Sequence, residues 1–301
     1  MPKNSGGREG AQMKWVDYVS PTSLSEAIAI VASDGQRVRA LAGGTDILVQ
    51  LRARRRLPDT LLDVKSIPEM NQLSYDSASG LTIGAAVPCC KIYEDSNVKN
   101  HYPALIDCTS IIGGIQIQGR ATVGGNLCNA APSADSIPAL IAYNATASIA
   151  GPNGTRIVPV QDVCKSPGET ILSSNELLVS INVPNPAPNT GARYIRFIPR
   201  NEMDIAVVGA GVFVELDGDN IKSARLSLAS VAPTPLFLKE ASESLEGQAI
   251  SDETIRKASG LAQKAAKPIT DMRGTVEYRL QLCEVLTRRA LNTAIERAKG
   301  N

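Results

Sequence analysis

The sequence predicts an α+β protein built in two parts, and three observations carry that reading. Strand-like and helix-like segments alternate over the first 65 residues, as in a small βαβ unit. Pro184-Asn-Pro-Ala-Pro-Asn-Thr-Gly191 has linker composition and places a boundary near residue 188. Beyond it, three strand-like runs precede three helical ones, the order of an antiparallel sheet followed by helices. A chain of 301 residues is long enough for two such domains.

The elements follow in order. Val16–Pro21 reads as a short strand. Ser23-Leu-Ser-Glu26 is a capping box, and Leu24, Ala27, Ile28 and Val31 recur at helical spacing until Gly35. Val38–Leu41 is an apolar strand, Ala42-Gly-Gly-Thr-Asp46 a turn, and Ile47, Leu48 and Leu51 an amphipathic helix. Arg52–Arg56 sits at that helix's end, where cations suit the dipole. Leu61–Val64 completes the first subdomain, about residues 13–66. The second, about 67–188, holds a strand at Leu81–Ala86 and helices near 88–93, 102–109 and 136–143. A glycine-rich loop spans 111–126, a hairpin turns at Gly151-Pro-Asn-Gly154, and Leu177–Val183 is a strand. In the C-terminal part, strands are expected at 193–198, 206–216 and 221–231. Helices are expected near 236–245, 252–266 and 275–298.

Composition excludes several function classes. Lys plus Arg is 31 and Asp plus Glu 30, so the net charge of +1 carries no general affinity for nucleic acid or anionic membrane. No apolar run reaches the ~18 residues of a membrane span. Met1–Gln12 is polar and glycine-rich with no apolar core. It reads as a disordered extension rather than a signal peptide, with folding expected from Met13. The single histidine, His101, excludes multi-histidine metal sites. The six cysteines lack any C-x-x-C pair and read as reduced thiols of a cytoplasmic protein. No metal ligand set is visible.

Two glycine loops carry the chemistry. In Leu41-Ala-Gly-Gly-Thr-Asp46, paired glycines let backbone N–H groups converge at a helix N-terminus, where an anion is favoured. Thr122-Val-Gly-Gly-Asn126 repeats the pattern. Each is also the composition of a tight turn, but two together fit a diphosphate gripped from both sides. Neither is a Walker A loop or G-x-G-x-x-G, so a Rossmann domain is disfavoured. Gly209-Ala-Gly211 reads as small residues in a packed strand.

These residues resemble the FAD-binding medium subunits of molybdenum hydroxylases, the carbon monoxide dehydrogenase and xanthine dehydrogenase family. The resemblance rests on Ala42–Asp46, Arg120–Asp135, Glu176–Pro184 and Thr270–Arg279, in that order, and covers Met13 to about Ala298. It implies a vanillyl-alcohol-oxidase (PCMH)-type FAD-binding domain over 13–188. A C-terminal flavoprotein domain over 189–301 would follow, with a three-stranded antiparallel sheet and a helical bundle. By resemblance, Ala42, Gly43, Gly44, Thr45, Asp46 and Ile47, with Thr122, Val123, Gly124, Gly125 and Asn126, would cradle the FAD diphosphate. Asp135 would contact the adenosine half, and Leu178 and Arg196 match positions near the flavin. Ile112 stands where some relatives carry an aromatic residue, which leaves open whether Ile112 or Tyr194 meets the isoalloxazine.

The resemblance further implies an electron-transfer subunit with no catalytic residue of its own. Its partners would be a large molybdenum-cofactor subunit and a small 2Fe-2S subunit, arranged as a dimer of heterotrimers, with NAD or another electron acceptor. The competing reading is a self-sufficient FAD-dependent oxidoreductase acting on its own small substrate; it requires a pocket with a base, and no such constellation is visible in the sequence.

Overall fold

The computed structural model describes residues 15–55 and 57–300. The expected N-terminal extension, the start at Met13 and Arg56 lie outside them.

The N-terminal unit is a three-stranded parallel sheet, β1 (Asp17–Val19), β2 (Val38–Leu41) and β3 (Thr60–Asp63), in the order β1-β3-β2. Helices α1 (Leu24–Asp34) and α2 (Ile47–Arg52) make the connections. The capping box at the start of α1 forms as read: Ser23 Oγ accepts from Glu26 N at 3.2 Å. The return bond differs by one residue, because the Glu26 carboxylate accepts from Thr22 N at 3.1 Å rather than from the cap itself.

The second unit is a five-stranded antiparallel sheet. It comprises β4 (Leu73–Asp76), β5 (Gly80–Gly84), β6 (Thr146–Gly151), β7 (Gly154–Pro159) and β10 (Leu177–Val183), in the order β4-β5-β10-β6-β7. Six short helices lie between β5 and β6: α3 (Cys89–Glu94), α4 (Ser96–His101), α5 (Pro103–Thr109), α6 (Ile115–Gln118), α7 (Val123–Asn129) and α8 (Ser136–Ala142). A small ribbon, β8 (Cys164–Ser166) with β9 (Glu169–Thr170), precedes β10. The segment Thr122–Asn126, expected as a loop, is the first turn of α7. Thr122 caps that helix, its Oγ1 accepting from Gly125 N at 2.9 Å, so the paired glycines are helical.

The C-terminal sheet has four strands rather than the three expected: β11 (Thr190–Phe197), β12 (Val208–Asp217), β13 (Asn220–Ala229) and β14 (Leu236–Phe237). The sequence pattern places the two residues of β14 at the start of a helix. Pro235 disfavours a helical conformation at the residue before it, and the chain pairs with β13 through Ser227↔Phe237 and Leu228↔Leu236. The Arg225 guanidinium covers the Phe237 ring at 4.1 Å, and the helix α9 begins only at Lys239 (Lys239–Glu243). Helices α10 (Asp252–Ala265) and α11 (Val276–Ala298) follow. Leu282, Leu286, Ala290, Leu291 and Ala294 of α11 are buried in a core shared with β12 and β13. Burying each of the leucines contributes about 1.5–3 kcal/mol.

Two acidic side chains join this sheet to the helices before it. Asp107 of α5 accepts from Arg193 Nη1 at 2.5 Å, Tyr194 N at 3.1 Å and Arg297 Nη1 at 2.7 Å. Asp135, just before α8, accepts from the Tyr194 hydroxyl at 2.6 Å and from Arg196 Nη1 at 2.5 Å. The Thr270–Arg279 segment has a matching structural job. Arg279, buried, donates to Val207 O at 2.8 Å, Ser230 O at 3.1 Å and Asp271 Oδ1 at 2.7 Å, fixing the entry into α11. Among the described residues no helix is long and apolar enough to cross a membrane.

Candidate functional site

A cleft of about 570 Å³ opens where β2 ends and α2 begins, facing the start of α7. Its volume suits a sizeable organic ligand. Its position, outside the carboxyl end of a parallel strand, is where α/β units collect ligands. Ala42, Gly43, Gly44, Thr45, Asp46 and Ile47 form one wall, and Thr122, Gly124, Gly125 and Asn126 the wall opposite. Ile112, Leu177 and Leu178 add apolar surface. Consecutive residues Leu177 and Leu178 both reach the cleft because the register of β10 against β6 shifts between Leu178 and Ser180, a bulge that interrupts strand alternation.

The first wall is a set of unused donors. Among the described residues, the backbone N–H groups of Gly43, Gly44, Thr45, Asp46 and Ile47 donate to no acceptor in the protein. The helical pattern resumes only when Leu48 N meets Gly44 O at 3.1 Å. Successive free N–H groups before a helix make an anion nest, and the N-terminal turn of α2 adds its partial positive charge. Across the cleft, Gly124 N is also without a protein acceptor among the described residues. This donor set fits a diphosphate: the Gly43–Ile47 groups are open to the cleft, and the N–H of Gly124, which is buried, is costly to leave unmet.

The paired glycines serve three different purposes. A Cβ on Gly43 would lie 2.0 Å from Arg120 O, so the two cleft segments touch backbone to backbone. Gly44 has φ +82°, a left-handed conformation that disfavours any side chain. A Cβ on Gly124 would strike the Ala85 backbone at 2.5 Å. Only Gly125 faces a lighter obstacle, its own cap atom Thr122 Oγ1 at 2.9 Å. Of the four, Gly125 is therefore the one whose missing side chain serves the cleft more than the fold.

The remaining residues expected at the site separate into two groups. Asn126 Oδ1 accepts from Ser136 Oγ at 2.6 Å, which leaves its NH2 toward the cleft. Asp46 makes no side-chain cap bond to α2. It is open to the cleft but ringed by protein, and this desolvation raises its carboxyl above the ordinary value. Val123 is packed in the core rather than on the cleft wall. Asp135, Arg196 and Tyr194 also stand apart from the wall, as a buried hydrogen-bonded group behind Ile111, whose carbonyl accepts from Arg196 Nη2 at 2.8 Å. Burial pushes the Asp135 carboxyl up against the opposing pull of Arg196. Tyr194 OH lies against Gly209, where a Cβ would approach it to 2.5 Å, and Gly211 meets Pro138 O in the same way. Those two glycines of β12 are thus packing positions.

The structure adds residues in and around the cleft that were not among the expected site residues, although Arg120 and Glu176 open two of the motifs that carry the resemblance. Gln50 Nε2 donates to Asn129 Oδ1 at 3.0 Å, joining α2 to α7. Arg120 Nε reaches Gly43 O at 3.3 Å. Lys165, Thr170, Ser173, Ser174 and Glu176 form the far wall. Glu176 holds Arg156 through two oxygens, at 2.7 and 2.9 Å, and accepts from Ser173 N at 2.8 Å, which braces that wall. Cys128 also lines the cleft, its thiol pushed up to about 12 by burial, so it offers no thiolate there. Among the described residues no group of three His, Cys, Asp or Glu side chains is placed to hold a metal. The cleft can bind and orient a long anionic ligand, and among the described residues no nucleophile hydrogen-bonded to a base lines it.

Comparison with known proteins agrees with this geometry. Residues 11–186 match the family described as the FAD binding domain in molybdopterin dehydrogenase. Residues 193–294 match the CO dehydrogenase flavoprotein C-terminal domain. The xanthine dehydrogenase FAD-binding subunit of Escherichia coli O157:H7 is 31% identical over 287 residues, covering 95% of this chain and 98% of that one. The carbon monoxide dehydrogenase medium chain of Hydrogenophaga pseudoflava is 31% identical over 92% of this chain and 96% of its own. A solved structure of that organism's carbon monoxide dehydrogenase superposes with a TM-score of 0.91 at 30% identity, covering 94% of this chain and 98% of that one. Quinoline 2-oxidoreductase from Pseudomonas putida 86 gives 0.88 at 28% identity, over 95% and 99%. The nest at the end of β2, the second segment at α7 and these matches along both units lead to one assignment: the chain belongs to the FAD-binding medium subunits of the molybdopterin dehydrogenases, the family of carbon monoxide dehydrogenase and xanthine dehydrogenase.

Proposed function

We propose that this chain is the electron-transfer subunit of a molybdenum hydroxylase complex, accepting electrons from iron–sulfur clusters of a small 2Fe-2S partner and passing them to NAD or another acceptor. Substrate oxidation then belongs to a large molybdenum-cofactor partner, with the assembly a dimer of heterotrimers. Bound FAD supplies a two-electron carrier that can release electrons singly or in pairs. The observation that carries the reading is the run of free N–H groups from Gly43 to Ile47 facing Gly124 and Gly125 across the cleft.

The chain's own residues bind and orient. The Gly43–Ile47 nest and Gly124 N hold the diphosphate, with Thr45 and the Asn126 amide as side-chain donors. Asp46 accepts from a ligand hydroxyl or ring N–H. Ile112, Leu177 and Leu178 exclude water from the apolar side of the cleft. Asp135 and Arg196 act from behind, holding Ile111 and the segment before Ile112 in place. The FAD-binding unit extends to residue 188 and the C-terminal unit begins at 189.

The test is purification of the chain alone and with its neighbours. The lone chain should carry about one FAD per polypeptide, and it should oxidise neither carbon monoxide, purines, N-heterocycles nor aldehydes with an artificial acceptor. Large molybdenum and small iron–sulfur partners should co-purify from the native source. Turnover of any of these substrates by the lone chain, tracking flavin content with no molybdenum present, would establish a self-sufficient flavoenzyme instead.

A further inference from the structure

A second cavity, of about 560 Å³, lies away from the FAD cleft and shares no lining residue with it. It sits between α4, the linker 185–189 and the C-terminal end of α11. Three features of its wall act together. The first is aromatic content: Tyr75 and His101, stacked on each other with ring centres 4.7 Å apart and 8° between planes, both line the cavity. Tyr143 and Phe213 meet edge to face at 5.8 Å on the same wall.

The second feature is charge. Arg297 lines the cavity, and the lining includes no Asp or Glu. The carboxylate behind it, Asp107, is shared between Arg297 and Arg193, at 2.7 and 2.5 Å, so two guanidinium groups face one acid. One positive charge is left over. Asp107 and Ala192 O take up Nη1 and Nη2 of Arg297, while Nε donates to no acceptor among the described residues. The third feature is neutral polarity: Asn100 and Asn189 offer amides at the rim, and the proline-flanked linker gives the wall a stiff edge.

We propose that this cavity is a binding site for a small planar aromatic carboxylate. The ring lies against the aromatic wall, and the carboxylate pairs with the surplus charge at Arg297. Such a ligand bridges α4 of the first part of the chain and α11 of the second, so its binding stabilises their junction.

The chain's single histidine makes the test direct, because a 13C-histidine-labelled, tag-free, FAD-loaded chain shows one imidazole Hε1 signal, that of His101. Benzoate should shift this signal saturably and raise the melting temperature. Benzamide, with the same ring and no charge, should bind about tenfold more weakly, or ~1.4 kcal/mol. Arg297→Lys should weaken benzoate by at least about fivefold and leave benzamide unchanged. Asn100→Trp, an exposed position at the rim, should block both ligands without lowering the stability of the free chain. Absence of a saturable shift up to about 10 mM benzoate overturns the proposal. So does equal binding of benzoate and benzamide, or benzoate binding that Asn100→Trp leaves intact.

Discussion

Arg196 Nη1 lies 2.5 Å from Asp135 Oδ2, and both side chains are buried, which makes this the ion pair that locks β11 onto the start of α8. Tyr194 OH completes the coordination of the same carboxylate at 2.6 Å. Removing one partner of a buried pair leaves an unmatched charge, costing about 3–5 kcal/mol. Arg196→Met is therefore expected to lower unfolding free energy by about that amount. Asp135→Asn combined with Arg196→Met should cost less than Arg196→Met alone. Urea denaturation of the single and double variants checks the ordering. An Arg196→Met chain as stable as the parent would show that the pair does not act as a lock.

The four cleft glycines should separate by phenotype. Gly43→Ala drives a Cβ into Arg120 O and should destabilise the chain by about 1–3 kcal/mol, with flavin lost as a consequence. Gly125→Val meets only the cap oxygen and then the cleft. It should weaken FAD binding at least about tenfold, with a stability cost of ~1 kcal/mol from the disturbed Thr122 cap. Flavin absorbance after gel filtration and melting temperature, read together, distinguish the two. Full flavin occupancy in Gly125→Val would remove α7 from the cradle.

Glu176 gives the far wall a dependence on pH. Its carboxyl is held below the ordinary value of 4.5, first by the hydrogen bond from Arg156. A depressed carboxyl contributes stability that is fully present above its unfolded value and is lost as pH falls through the lower folded one. Wild type should therefore be more stable than Glu176→Gln at neutral pH, and the gap should close on acidification below about 4.5. Thermal melts of both proteins from neutral pH into acid measure this. A gap that persists unchanged in acid would assign the effect to packing rather than to the ion pair.

Arg279→Lys tests the turn before α11. A lysine cannot serve Val207 O, Ser230 O and Asp271 at once, so the change should cost about 1–3 kcal/mol despite keeping the charge. Flavin affinity should hold, since Arg279 lies off the cleft wall. Chemical denaturation paired with flavin titration separates the two readouts.

Local patterns in the chain made much of this legible. Ser23 and Glu26 marked α1, the apolar run 177–183 marked β10, and the paired glycines marked both faces of the cleft. Three kinds of feature escaped. Asp107 looks like any polar residue on a short helix, because its partners lie 86 and 190 positions away. The far wall at 165–176 has no glycine pair and acquires its place only through the β8–β9 ribbon and the Arg156–Glu176 pair. The helix expected from Leu236 was displaced by pairing with β13, a tertiary contact that outweighs the local preference of two residues. Asp135 and Arg196 were singled out by resemblance, and the structure shows them bonded to each other behind the wall.

The position of β10 orders events while the chain is being made. It is the last strand of its sheet in sequence, yet it lies in the middle, between β5 and β6. On a ribosome, the strands of the hairpins β4–β5 and β6–β7 emerge first, each pair joined by contacts close in sequence. They stay separate, each with an open edge, until residues 177–183 leave the exit tunnel and pair with both. That same strand brings Leu177 and Leu178 to the cleft. Until residues 177–183 pair, β5 and β6 each lack the neighbour that lies between them and the cleft lacks Leu177 and Leu178, so closing the sheet and completing the cleft are a single event.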